Sequence, residues 1–531
     1  MKKLLAILLA GAMILGLAAC GKEPAASEGS SDSNVETAGE VVNTSVEVDE
    51  NKTYKETIIL GYEQPVTTLD CQVLVNGVQD TVYYLFVNAL LSYNYETKQL
   101  EPCLAKEWSN NEDSTVWTFK LRDDVTFSNG EPLTADDVVF TIERMAESGV
   151  SGAADAKNVE SVVANGDYEV VVTLKSANMD FPYRMGLAFW GILNREAVEA
   201  DPDNGFKVGT GGWKPVKFEP GVVVEFEKVE TSWVWKDVQT PTKKIVLKTM
   251  TEESARSIAV QTDEIQFSYQ INYGDTNIYD ADPNVDYMII DAEAIYYLGM
   301  SYESEAIGDD VNLRNAIAYA INPQELKDVG FAGKGKACQT FWGPNQYGLY
   351  TDYEQPLGQN LELAKEYMAK SNHPDGVTLT ITTVTAFEEM AEVVQAQLAE
   401  IGITVKVNIT DAPGLAQTVA DKKLDLLLYN KTCGAYGDQF RDILVYGNTA
   451  NRMKYNNEKV AELLDKALGE TDDAARKALY QEVQEITHEE MPCVPLFYGT
   501  NSVLFRKGLS GVKYQPNLKH DFTYVICEDN K

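Results

Sequence analysis

Three observations predict an α/β protein of two or more lobes. From Thr53 onward, aromatic and β-branched residues are spread evenly over about 480 residues, more than one simple core accommodates. Segments alternating apolar and polar residues, the strand period, are interleaved with segments whose apolar residues recur every three or four positions, the helix period. Beyond the amino-terminal leader, no stretch reaches the roughly eighteen uninterrupted apolar residues that a membrane-spanning helix needs.

Strands are expected at Val116 to Leu121, Tyr168 to Leu174, Val222 to Phe226 and Val377 to Ile381. Thr134 to Glu147 reads as a surface helix. It has a hydroxyl at the N-cap, acids Asp136 and Asp137 in the first turn where the helix dipole favours them, and Val138, Ile142 and Met145 on one face. Asp310 to Ile321 repeats the device with Leu313, Ile317 and Ile321 spaced by four, and Pro323 is expected to stop it. A third helix is expected between Ala386 and Ile401. Gly402 and an alternating strand, Ile403 to Ile409, follow it in the succession typical of parallel α/β architecture.

The amino terminus reads as a secretory leader over residues 1–19: Lys2 and Lys3, an apolar run from Leu4 to Leu17, then small residues. Leu17-Ala18-Ala19-Cys20 resembles the lipobox of bacterial lipoproteins. That resemblance implies a diacylglycerol on the Cys20 thiol, the acylation of a palmitate-type lipoprotein, with Cys20 as the first mature residue. Residues 20–52, rich in Ser, Glu, Asp, Gly and Thr, lack the apolar surface to offset ordering entropy and read as a tether.

The formal charge of −36 offers no basic stripe, so nucleic acid is excluded as a partner, while the acid itself does little more than favour solubility. Besides Cys20 there are Cys71, Cys103, Cys338, Cys433, Cys493 and Cys527. They allow fifteen pairings, but a domain of this size needs no staples and no spacing suits zinc, so buried free thiols are expected.

Three segments carry a family resemblance: Leu100-Glu-Pro-Cys-Leu-Ala-Lys-Glu-Trp108, Trp117-Thr-Phe-Lys-Leu-Arg122 and Phe127-Ser-Asn-Gly-Glu-Pro-Leu-Thr-Ala-Asp-Asp-Val-Val-Phe140. Together they resemble the signature of the family 5 extracellular solute-binding proteins, the peptide- and nickel-type receptors of ABC importers. Further matches follow in order: Val208-Gly-Thr-Gly211, the helix from Asp310, Ile401-Gly-Ile-Thr-Val405 and Met491-Pro-Cys-Val-Pro-Leu496. The resemblance implies a two-lobed α/β fold of the periplasmic-binding-protein type II kind, with an additional inserted domain. Lobe I would combine 53–92, 206–290 and 500–531, the insert would span 93–205, and lobe II 291–499. It also implies a receptor that encloses a small solute between its lobes and passes it to an ABC permease and its ATPase. The receptor would be a monomer without cofactor, lipid-anchored on the extracytoplasmic side of the cell membrane.

In the family's peptide branch a late loop carries an aspartate that pairs with the ligand's amino terminus. Here that loop is Cys433-Gly-Ala-Tyr-Gly-Asp438, with Ala435 where that acid would stand and Asp438 on the acid that follows. An inward-turned Asp438 would restore such a pair. Cys71 replaces the proline usual after the family's early Leu69-Asp70. Val75, Asn76 and Gly77 match a ligand-lining loop, where Gly77 would allow close backbone approach. Trp190, Trp342 and Tyr436 are candidate contacts because flat aromatic faces suit peptides and sugars, although a tryptophan is equally at home in a core. Arg441 could meet a carboxylate or sit on the surface.

Other motifs fall short. Gly330 to Ala337 nearly spells a phosphate-binding loop but lacks the magnesium-binding hydroxyl, and Asp280 to Asp291 has calcium-loop spacing with Val285 in place of the required glycine. No metal site or catalytic residue is expected. Three histidines and no Gly-x-Ser-x-Gly elbow leave little material for a triad. The leading expectation is a transport receptor for an oligopeptide-like solute or short oligosaccharide, not an enzyme. The alternatives are an exported hydrolase, such as a glycosidase with paired carboxylates, and a chemosensory receptor.

Overall fold

The computed structural model describes residues 48–529 except 74–76, 149–155, 237, 239 and 449. The expected leader, Cys20 and most of the tether lie outside the described residues, as do Val75 and Asn76. Among the described residues no helix is long and apolar enough to cross a membrane.

The fold is organised by two long strands, Val285–Met300 and Cys493–Arg506, which pair antiparallel along their length. They form the middle of an 11-stranded sheet. On one side lie Leu426–Thr432, Val377–Thr383 and Ile403–Ile409; on the other lie Phe267–Tyr269, Thr57–Tyr62, Lys244–Thr249, Val223–Lys228 and Trp213–Glu219. The carboxy-terminal half of the first long strand pairs with Leu426–Thr432, and the same half of the second pairs with Phe267–Tyr269, so each crosses from one half of the molecule to the other. Parallel pairing occurs within each half, Thr57–Tyr62 with Lys244–Thr249 and Val377–Thr383 with Ile403–Ile409. Separate apolar cores serve the two halves, one around Leu60, Phe86, Trp213 and Phe267, the other around Leu298, Ile317, Leu398 and Phe497.

A second sheet stands apart: Ala105–Asn110, Val116–Leu121, Glu169–Leu174 and Val159–Ala164, all antiparallel. Alternate residues of Val116–Leu121 and Glu169–Leu174 are buried as the period requires, and they share a core with Val138, Ile142 and Met145 of the helix Ala135–Ser148. Thr134 begins this helix in a different way from the one expected. Its backbone N–H and hydroxyl both donate to Asp137, at 2.9 and 3.0 Å, so the carboxylate three residues on is the acceptor. The other Asp137 oxygen accepts from the Arg195 N–H at 3.0 Å and ties in the helix Arg195–Ala200. Asp70 of the Leu69-Asp70 pair accepts from Arg144 at 2.6 Å, joining this sheet's helix to the first half of the molecule.

Asp310 caps Val311–Ala320 by accepting from the Leu313 N–H at 3.0 Å, but the helix is buried nearly all round because Leu361–Lys370 and Glu388–Ala399 pack beside it. Pro323 is not a stop. It is the first residue of the next helix, Pro323–Phe331, where its missing N–H has no intrahelical partner to lose, and Asn322 caps it. The expected helix from Ala386 starts at Glu388, after one 3₁₀ turn, Thr385–Phe387. The six body cysteines are free thiols, all buried except the partly exposed Cys103. In Val208-Gly-Thr-Gly211, a Cβ on Gly209 would fall 1.9 Å from the Phe86 carbonyl oxygen, so the helix end and the loop touch through backbone alone.

Candidate functional site between the lobes

The two long strands lose register where they pass from one half to the other, between Asp291 and Ile295, opposite Thr500 and Tyr498, and shift again between Tyr296 and Tyr297. A bulge of this kind unpairs a residue and re-aims its side chain. Glu293 lies inside the first. Its N–H donates to the Pro516 carbonyl at 2.8 Å and its carbonyl accepts from the Cys433 N–H at 2.6 Å, so its backbone is held by the carboxy-terminal segment and by a second-half loop. The residue is 1% exposed, and among the described residues no group is in good hydrogen-bonding geometry with either carboxylate oxygen, although the Asn345 side chain lies beside it. Burial pushes its carboxyl up to about 7, against the pull of the Asn345 side chain, Lys98 and Lys519. Lys519 is itself ion-paired with the fully buried Asp80.

Aromatic rings gather beside this carboxylate. Tyr93 lies on the strand Leu91–Asn94, its ring centroid 4.9 Å from that of Tyr95 and 6.0 Å from that of Tyr183. Burial first, and then the charge of Glu293, raise the phenols of both Tyr93 and Tyr95. Asn517 donates to the Tyr95 hydroxyl at 2.6 Å.

The antiparallel-sheet domain meets the second half of the main sheet beside these rings. Asp180 precedes the short helix Phe181–Arg184 without capping it through its side chain, and one of its oxygens receives Arg476 at 2.5 Å, with side-chain exposures of 1% and 6%. The other accepts the Asp438 N–H at 3.0 Å. Met179 N–H donates to the Leu468 carbonyl at 2.8 Å, and the Arg184 guanidinium lies 3.8 Å from the Tyr436 ring centroid.

The residues singled out in the sequence are dispersed. Gly77 opens the helix Gly77–Phe86 with open space around it. Trp190 packs edge-on against Phe181 in the core of the smaller sheet, and Trp342 packs among Phe440 and Tyr480 in the second half. Both are fully buried, with indole N–H groups lacking a hydrogen-bond partner. Tyr436 and Asp438 do come together with Arg184 and Asp180. The Asp438 side chain is drawn to Arg441 at 2.8 Å, which also meets Asp465 at 2.7 Å, and burial pushes its carboxyl up against the pull of Arg441. Arg441 is thus engaged by two carboxylates. Ala435 is buried and leaves the loop without a second acid. Sequence reasoning passed over Glu293, Tyr93, Asp180 and Arg476. Glu293 had a signal, as the one charged residue between Ala292 and Met300 in an otherwise apolar run. Among the described residues no group of three or more His, Cys, Asp or Glu could hold a metal ion.

Two halves joined by a pair of crossing strands, with buried polar groups where they meet, define the two-lobed solute-binding class of fold. Residues 99–454 match the bacterial extracellular solute-binding proteins, family 5, in the family's middle region, and the chain belongs to this family. Among curated relatives, the nickel-binding periplasmic protein of Escherichia coli K12 is 25% identical over 451 residues, covering 78% of this chain and 84% of that one. Among solved structures, the substrate-binding protein CtaP of Listeria monocytogenes superposes with a TM-score of 0.80 at 22% identity, covering 89% of this chain and 99% of that one. The peptide complex of DppA from Helicobacter pylori gives 0.75 at 24% identity, over 90% and 99%.

Proposed function

We propose that this solute-binding protein is the extracytoplasmic receptor of an ABC importer, tethered by a lipid on Cys20, and that it releases its ligand unchanged to a permease and its ATPase. The observation that carries the reading is the convergence at Glu293. Crossing strands, carboxy-terminal segment and second-half loop all meet at one bulge, and closure of two lobes on a ligand needs such a junction. The lobes would be 53–92 with 206–290 and 500–531, and 291–499, with 93–205 as the insert. Ligand contacts would come from the loop 75–77 and from Tyr436, with Asp438 fixing the Tyr436 loop through Arg441, while Trp190 and Trp342 back the walls. The names of similar proteins, a nickel-binding protein and a peptide-bound DppA, support a small solute and keep an oligopeptide-like ligand foremost, with a short oligosaccharide next.

The test is a thermal-shift screen of the mature chain against peptide, oligosaccharide and metal-chelate libraries, since a ligand that binds only the folded form raises its melting temperature. A hit recovered intact by mass spectrometry after long incubation is expected. A hit converted to product would refute the receptor reading in favour of a hydrolase.

A further inference from the structure

Glu293 lacks what a buried carboxylate requires. An ionised carboxylate out of water is stable only when paired and hydrogen-bonded, yet among the described residues neither oxygen of Glu293 has a partner in good hydrogen-bonding geometry, and the neutral Asn345 side chain beside it brings no charge. The protein's nearby cations do not fill the need: Lys519 is ion-paired with Asp80, and Lys98 is exposed at the end of a turn. The other buried acids of the region are engaged, Asp180 by Arg476 and Asp438 by Arg441. Among the described acids of the junction, Glu293 therefore lacks an ion-pair partner in contact, and it is held there by a strand bulge and two backbone hydrogen bonds from different parts of the chain. Its neighbours Tyr93 and Tyr95, with Tyr183 beyond, present π-faces and phenol oxygens rather than a second charge, surroundings that suit an organic cation.

We propose that the ligand carries a protonated amine and that Glu293 is its counter-ion, with Tyr93, Tyr95 and Tyr183 flanking the ammonium group. This rests on the receptor reading above and specifies the chemistry of the same site. In the ligand-free protein burial favours the protonated carboxyl. An arriving ammonium ion restores the charge and donates charge-assisted hydrogen bonds to the carboxylate oxygens.

The test compares the mature wild-type chain with Glu293→Gln and Glu293→Ala, by thermal shift and calorimetry, against three probe sets: unmodified short peptides and a simple diamine, the same compounds N-acetylated, and neutral oligosaccharides. The expected result is binding of free-amine probes to the wild type, at least a tenfold loss on N-acetylation, and a similar loss in Glu293→Gln. That variant keeps the shape of the side chain, and its ligand-free melting temperature should be no lower than that of the wild type. Equal binding of free and acetylated probes, or unimpaired amine binding by Glu293→Gln, would overturn the inference. Binding of oligosaccharides alone would overturn it while leaving the receptor reading intact. Silence from all three sets would count against both.

Discussion

The Asp180–Arg476 pair offers a direct test of how the lobes are held together. Asp180 belongs to the antiparallel-sheet domain and Arg476 to the helix Asp473–Glu490 of the second half, and they meet at 2.5 Å in a nearly dry environment. Burial works most strongly against the Arg476 charge, but the Asp180 carboxylate and Tyr480 together outweigh it and raise the guanidinium pKa. Arg476 also donates to the Ala467 carbonyl at 3.0 Å and lies over the Tyr347 ring, so only the Asp180 contact reaches the other domain. Asp180→Asn keeps the side chain's shape and an acceptor for the Asp438 N–H, but it removes the charge. Breaking a buried pair from one side costs about 3–5 kcal/mol, because the remaining charge stays buried. If the pair forms only when the domains meet, that cost falls on the closed form alone. Water relieves Arg476 once they part, so the lower figure applies. About 3 kcal/mol shifts the closed-to-open ratio by roughly 100-fold. Small-angle scattering should show a larger radius of gyration for Asp180→Asn, and a double-mutant cycle with Arg476→Gln, read by urea denaturation, should give a coupling above about 0.5 kcal/mol. Identical scattering together with additive variants would refute the argument.

Two further expectations follow from buried groups. His520 is fully buried and its Nδ1 accepts from the Gln515 N–H at 2.9 Å; burial holds its pKa down to about 3. The unfolded chain takes up this proton below about pH 6.5 and the folded one does not, so stability is complete above that pH and falls by about 1.4 kcal/mol per unit on acidification. His520→Gln should flatten this part of the profile in denaturation series at pH 7, 6 and 5. Gly209→Ala places a methyl group 1.9 Å from the Phe86 carbonyl oxygen and should destabilise by about 3 kcal/mol or more, read as a lower urea midpoint.

Much of the fold was legible where local chemistry is decisive. Val116–Leu121 and Ile403–Ile409 alternate cleanly, and the structure places strands over the same residues. The errors arose where local signals have two meanings. Pro323 opens a new helix after the earlier one has already ended at Ala320, and Thr134 donates to Asp137 although a hydroxyl at that position more often accepts. The long strand Val285–Met300 was hard to read as a unit because its bulge shifts the phase of alternation halfway along. The contact between the smaller sheet and the second half was beyond reach, since Asp180 and Arg476 lie 296 residues apart and neither stands in a telling motif.

The position of Glu293 ties mechanics to chemistry. Crossing strands that ran in perfect register would join the lobes as a continuous ladder and leave no residue at the junction free to face a ligand. The bulge between Asp291 and Ile295 interrupts that continuity and sets an acid there. The sign of its titration shows what this costs. With its pKa raised to about 7, its contribution to stability is present below about pH 4.5 and lost as pH rises through 7, so the ligand-free fold is weakest where the carboxylate is charged. A group that only supported the fold would gain from replacement by a neutral isostere under those conditions, and keeping the acid makes sense only if something outside the chain completes it. The same weakness is what a ligand can exploit. A cation that neutralises Glu293 relieves the destabilised form and adds contacts to both halves at the strand crossing, so binding and closure draw on one source of free energy.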